Sequence, residues 1–296
     1  MSKENVSAKG KQAAHKAANV AQDAGSEAKE AATSPWFTPL ARLGYAAKGA
    51  VYLIMGLLAL SAALGGGATP TDQKGVFETI FEQPAGRVLL IIVAIGLVGY
   101  ALWCLCQAIL DVDGKGTSAK GVVTRVGYGV VGVVYLTLAF GAYTLATAGS
   151  AGKSSDTTTR DVTAQLLAKP LGVALVILAG VGALAVAAIL FYRAWKADFE
   201  QLIQPKELGQ KGKELLVALG RVGYAALGIV FVEIGVFLVV AALRHDPNQA
   251  QGLGGALRVM EQQPFGRLLL AVVALGLVAY GVYSVASARY RRVGRS

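Results

Sequence analysis

Residues 82–100 read EQPAGRVLLIIVAIGLVGY, and residues 262–280 read QQPFGRLLLAVVALGLVAY. The two stretches agree at 12 of 19 positions at one constant offset of 180 residues. Shared apolarity alone would give about a quarter of that agreement, so they are copies of one unit. Each opens with Pro-x-Gly-Arg and from there runs on without a charge and without the two-residue alternation of a membrane strand, the pattern of a helix made for hydrocarbon. A third copy of the opening is Lys169-Pro170-Leu171-Gly172, and ten residues past the three opening glycines stand Gly96, Gly182 and Gly276.

Working outward, these runs are the even members of a set of six, at 43–64, 86–110, 126–148, 171–192, 222–243 and 265–288. Each reaches the roughly 20 residues a helix needs to cross a hydrocarbon core of about 30 Å. The odd runs have their own shared opening: Arg42-Leu43-Gly44-Tyr45, Arg125-Val126-Gly127-Tyr128 and Arg221-Val222-Gly223-Tyr224. Seven residues past each arginine is a glycine (Gly49, Gly132, Gly228), and ten past it an aromatic (Tyr52, Tyr135, Phe231). The expectation is an all-α integral membrane protein of six transmembrane helices, built as three parallel two-helix repeats at 41–111, 124–199 and 220–293. A repeat with two spans leaves on the side it entered, so all three share one orientation and a pseudo-threefold axis along the membrane normal can relate them.

The combined Arg-x-Gly-Tyr and Pro-x-Gly openings resemble those of the bacterial membrane proteins grouped as domain of unknown function 1206, in which a pair of transmembrane helices occurs three times. The resemblance covers about 41–293 and implies this fold and a bacterial plasma (inner) membrane; it implies no reaction, substrate or catalytic residue. The second copy departs most, with Lys169 in place of Gln83 and Gln263, and Ala185-Val186 where the others carry Tyr100 and Tyr280.

Composition agrees. The chain is 54% hydrophobic but only 16% charged, against about 25% in a soluble domain, which excludes a typical cytosolic enzyme and a disordered chain. The net charge of +10 follows from basic loops rather than from a nucleic-acid surface, because the cations are scattered among many loops. The tail, the 111–125 and 193–221 loops and the C-terminus hold 19 Lys and Arg, the opposite loops hold 8, and Lys48 lies within the first run. That excess predicts both termini in the cytoplasm. Residues 1–40 form a polar Ala/Lys-rich tail, read as a frayed helix or disordered segment, with a membrane-surface or partner-binding helix as the alternative. Pro35 and Pro39 then break the chain, and Trp36 and Phe37 suit the membrane interface.

Few residues can carry chemistry. Glu233, in Phe231-Val232-Glu233-Ile234-Gly235, sits in mid-membrane, where a carboxylate costs about 2.5 kcal/mol or more and should face the bundle interior or a wet cavity. Its repeat equivalents are Ile54 and Thr137, so the copies share no carboxylate ring. Lys48 is expected to snorkel to the cytoplasmic surface, about 9 Å from a direct pair with Glu233. Arg42, Arg125 and Arg221 read as contacts to lipid phosphate at the helix entrances, or as a guanidinium ring around the axis able to attract an anion. Tyr45, Tyr128 and Tyr224 beside them suit the interfacial aromatic belt. Close helix packing is expected along Ala179/Ala183/Ala187 and Ala46/Ala50, and Pro84, Pro170 and Pro264 in the first turns of their helices. The segments before these prolines read as short amphipathic helices able to cap the external face.

Cys104 and Cys106 cannot bridge within one helix, and no metal, cofactor or nucleotide motif is present. The reading is a non-enzymatic membrane scaffold or interaction module, in contact with the lipid bilayer and open to a protein partner through its tail. The alternatives are a small channel or transporter with Glu233 in a polar cavity, and lipid handling by the arginine set.

Overall fold

The computed structural model describes residues 37–111, 116, 118–150, 152–197 and 209–290; the tail through residue 36, with Pro35 and Trp36, lies outside them. The described chain is all helical. Helices α1 (Phe37–Ala63), α3 (Gly86–Leu110), α4 (Ala119–Ala148), α6 (Gly172–Lys196), α7 (Gly209–Arg244) and α9 (Gly266–Tyr290) are each long and apolar enough to cross a membrane. Three shorter helices, α2 (Gln73–Phe81), α5 (Ser155–Leu167) and α8 (Leu253–Gln262), precede the even spans. The odd helices begin earlier than their apolar runs. α7 has 36 residues, about 54 Å, and outreaches the hydrocarbon. Pro39 does not break the chain but lies in the first turn of α1, where a missing N–H costs nothing.

The Pro-x-Gly openings are turns rather than first helical turns. The N–H of Gly86, Gly172 and Gly266 donates to the carbonyl three residues back, at 2.8, 2.9 and 2.7 Å. Between proline and glycine the chain turns left-handed, at Ala85 (φ 62°), Leu171 (φ 66°) and Phe265 (φ 59°). Proline at the second turn position and a positive φ at the third is the pattern of a type II turn. The glycine is needed because the short helix ends on top of it: an added Cβ would lie 2.2 Å from the Ile80 carbonyl oxygen, 1.7 Å from that of Leu166 or 2.3 Å from that of Met260.

The six spans pack in the order α4, α3, α1, α9, α7, α6, a ring closed at every joint but the one between α6 and α4. The joint between successive repeats is made three times over. Gly49, Gly132 and Gly228 leave no room for a Cβ, which would meet Val285, Leu105 and Phe191 at 2.7, 2.8 and 2.9 Å. Those partners all stand 19 residues past the glycine of their Pro-x-Gly (285−266, 105−86, 191−172), so the three joints are related by the pseudo-threefold axis. Such close approach is how membrane helices gain packing where the solvent is as apolar as their side chains. On α6 the approach is through Gly180 against Val239 and Gly235, while Ala179 of the expected alanine stripe is exposed.

The joint inside a repeat is made only twice. A Cβ on Gly44 would lie 2.6 Å from the Tyr100 backbone nitrogen, and one on Gly223 2.7 Å from the Tyr280 Cα. Gly96 meets Ala47 and Gly276 meets Ala226 in the same way. In the second repeat the equivalent Gly127 and Gly182 have nothing within 4 Å. Val134 of α4 is 49% exposed, whereas its counterparts Val51 and Val230 are 3% and 0% exposed. Among the described residues α4 and α6 do not pack along their lengths, and the ring is open there.

At the end of the ring away from the termini, α2, α5 and α8 are tied head to tail. Asp72 accepts from the Gly75 N–H of its own helix (3.0 Å) and from the Ser155 N–H of α5 (2.6 Å). Asp156 of α5 accepts from the Gly252 and Gly255 N–H groups of α8, both at 2.9 Å, and pairs with Arg258. Arg258 then donates to the Pro70 carbonyl ahead of α2 at 3.1 Å, completing a cycle.

Candidate functional site

The polar centre of the molecule lies inside the ring, in the half nearer the termini. Lys48 of α1 is its core. Its side chain is 8% exposed, and it turns inward rather than snorkelling to the surface. The ammonium donates to the Tyr100 hydroxyl at 3.1 Å and lies 4.7, 5.1 and 5.7 Å from the ring centres of Tyr100, Tyr280 and Tyr135. Away from water, such contacts are worth about 2 kcal/mol. The reason for the inward turn is angular. Lys48 follows Ala47, the residue that packs on Gly96, by one position and so by 100°, which swings it from α3 to the axis.

The cage repeats with the fold. Tyr45 meets Tyr100 edge to face at 5.1 Å, and Tyr100 meets Tyr135 at 4.7 Å. The same path runs from Tyr224 to Tyr280 at 5.4 Å and from Tyr280 to Tyr52 at 5.0 Å. Tyr45 and Tyr224 are therefore buried core residues and not part of an interfacial belt. A third path would run through Tyr128, Val186 and Phe231, and valine empties its middle. Arg193 lies on the same face of α6 as Val186, two turns or about 10 Å further on. Its side chain is exposed at that end of α6. Two cations thus stand toward this end of the molecule, Lys48 inside the ring and Arg193 on the face of α6 that carries Val186. Phenol hydroxyls and cations together form a set of donors, suited to an anion rather than to proton abstraction or metal binding.

The other expected residues lie elsewhere. Glu233 is seven residues past Ala226, which packs on Gly276 of α9, so it repeats that face two turns on instead of facing the axis. It is half-buried, its Oε2 has no hydrogen-bond partner among the described residues, and its equivalent Thr137 is exposed. Arg125 donates to the Ala108 and Ile109 carbonyls at 2.9 Å each and so caps the C-terminal end of α3, where a cation complements the helix dipole. Arg42 and Arg221 are exposed on the rim, and the three arginines do not form a ring around the axis. Among the described residues no group of His, Cys, Asp and Glu has the spacing of a metal site, and neither cysteine is in a disulfide.

Sequence reading missed Arg193 because the fourth apolar run was ended at residue 192, which placed the arginine in a loop; α6 continues to Lys196. It also missed that the tyrosines point together. The signal was present as the recurrence of Tyr100 and Tyr280 at one repeat position and of Tyr52 and Tyr135 at another.

Comparison with known proteins adds a family but no activity. No solved structure matches the chain. The "Uncharacterized protein YxxB" of Bacillus subtilis (strain 168) is 34% identical over 261 residues, covering 88% of this chain and 94% of that protein. The model of the Domain of Unknown Function (DUF1206) matches at 43–111, 126–197 and 222–291, one match to each helix pair. On that threefold match and the Bacillus relative, the chain belongs to the DUF1206 family.

Proposed function

We propose that this protein is a non-enzymatic membrane scaffold or interaction module, with both termini in the cytoplasm. The observation that carries the reading is the tyrosine-filled centre. Around Lys48 the axis is occupied by edge-to-face rings, and the far end is crossed by the hydrogen-bonded cycle of α2, α5 and α8. A conducting path needs a continuous polar lining, and here aromatic packing takes its place. The helical phase of Glu233, two turns past the residue that packs on Gly276 of α9, supports that reading over the carboxylate-based transporter.

The test is flux. Proteoliposomes holding the full chain, loaded for proton and potassium efflux across pH 5–8, are expected to leak no faster than empty vesicles, with Glu233→Gln indistinguishable from wild type. Flux in the wild type that Glu233→Gln abolishes would overturn the module reading in favour of a transporter.

A further inference from the structure

We infer that the open joint of the second repeat is a slot for one anionic phospholipid of the leaflet on the termini side, its phosphate held by Arg193 and its acyl chain lying between α4 and α6. The inference deepens the module reading and rests on it.

Three observations converge on the slot. First, the slot exists because one repeat lacks what closes the other two. Val186 replaces the tyrosine that seals α1 to α3 and α7 to α9, and the surfaces left bare are Gly127, Val130 and Val134 on α4 and Gly182, Val186 and Ile189 on α6. These walls are apolar, as an acyl chain requires. From Val126 to Val134 they run eight residues, about 12 Å of helix. Toward the cap the slot ends, because Leu138 and Ala142 of α4 are buried again.

Second, the polar end is at headgroup depth. Arg193 stands in the last turn of α6, on the termini side, and is accessible there. Guanidinium pairs with phosphate through parallel N–H donors. Inside the ring, over Tyr100 and Tyr280, Lys48 adds a second positive charge. Groups that bind a phosphate oxygen at this end face an apolar slot at the other, and a phospholipid has that same division.

Third, charge complementarity selects among occupants. A second copy of this chain would bring the same cations to the joint, like against like. A zwitterionic lipid would place its own ammonium beside Arg193. An anionic headgroup meets neither obstacle.

The experiment is lipid retention by the full chain purified in a neutral detergent and read by native mass spectrometry. Phosphatidylglycerol and phosphatidylcholine of identical acyl chains serve as probes, with glycerol 1-phosphate as a soluble competitor. Wild type is expected to keep one phosphatidylglycerol and to prefer it to phosphatidylcholine. Arg193→Gln is expected to lower that retention by about tenfold, the effect of one lost charged hydrogen bond. Val186→Tyr, which installs the residue the other two repeats already carry, should fill the slot and lower retention equally while the protein stays folded. Equal retention of both lipids, or retention unmoved by both variants, overturns the inference. So does full displacement by glycerol 1-phosphate, which would make the site one for a free anion. Flux measured on the same preparations separates the two claims: a conducting protein sinks the module reading whatever it retains, and a silent protein without lipid preference sinks only the lipid.

Discussion

The first and third repeats and the second were built from one pattern and closed differently. In the outer two, a glycine of the odd helix lies against the tyrosine of the even helix, and the pair shuts. In the second, the glycine remains as Gly127 but the tyrosine is Val186, and the pair stands open. All three joints between repeats survive, so the ring holds its shape while one of its seams is free. The lesson is that closure and assembly are separate tasks here, carried by different glycines. Gly49, Gly132 and Gly228 assemble the ring; Gly44 and Gly223 seal it.

The sharpest way to break this contrast is to crowd the three equivalent glycines one at a time. Gly44→Val and Gly223→Val push a side chain into backbone atoms that cannot move aside, and each is expected to cost about 3 kcal/mol or more. Gly127→Val enters open space and should change stability by less than about 0.5 kcal/mol. Thermal midpoints in detergent decide it, and three equal losses would mean that the second pair closes after all.

A smaller effect is expected from the cap. With no internal seal, the second repeat leans on its ties to its neighbours, of which Asp156 is the one in the cap that reaches the third. Asp156→Ala leaves two α8 amides and Arg258 without their acceptor. It should cost about 2 kcal/mol, discounted because Arg258 is partly exposed. Hydrogen exchange should then speed up in α5 and α6 before α1 and α9; a uniform increase would remove the special dependence of the second repeat.

Smaller again is the change at Lys48, which stands where the other repeats carry Val131 and Leu227. Lys48→Leu makes the copies alike and removes a buried ammonium. The thermal midpoint is expected to stay or to rise, by about 1 kcal/mol in stability. A clear loss of stability would make the lysine a structural post rather than a ligand group.

The smallest effect concerns the third linker from span to cap, pinned by an aspartate at Pro247–Gln249. The Asn248 backbone N–H and then the Gln249 amide hold the Asp246 carboxyl below its ordinary 3.8. A lowered value means that its stabilisation is present above that ordinary value and lost as pH falls through the lower folded one. Asp246→Asn should therefore melt slightly earlier than wild type at pH 7 and together with it well below pH 3.8; a gap that widens in acid would reverse the sign.

Depth along the membrane was legible in the sequence, and direction around each helix was not. Six apolar lengths and two recurring openings were enough for the spans, the repeats and the three short helices. The same reading put Lys48 at the surface and left Glu233 facing the bundle interior or a wet cavity, because it ranked residues by polarity and depth. One residue of helical phase turns Lys48 from Ala47's partner to the centre, and seven residues return Glu233 to the face of Ala226. The missing tyrosine was visible at Val186. Its meaning was not, since an open seam is defined by what fails to touch Gly127, and that glycine is retained in the sequence as though it were still needed.

The tight contact of α1 with α9, where Gly49, Gly56 and Gly281 bring two backbones together, joins the beginning of the chain to its end. This sets a problem of timing for the ribosome. At about 5–20 residues per second, the first span waits roughly 10–50 s for its partner to be made. Throughout that interval its glycine-lined face lies bare in the bilayer, a template for the last helix of any finished neighbour. Cells making the chain in abundance must therefore shelter the nascent first span or tolerate interlocked pairs, and a stop codon before α9 would leave a protein with that face permanently unclaimed.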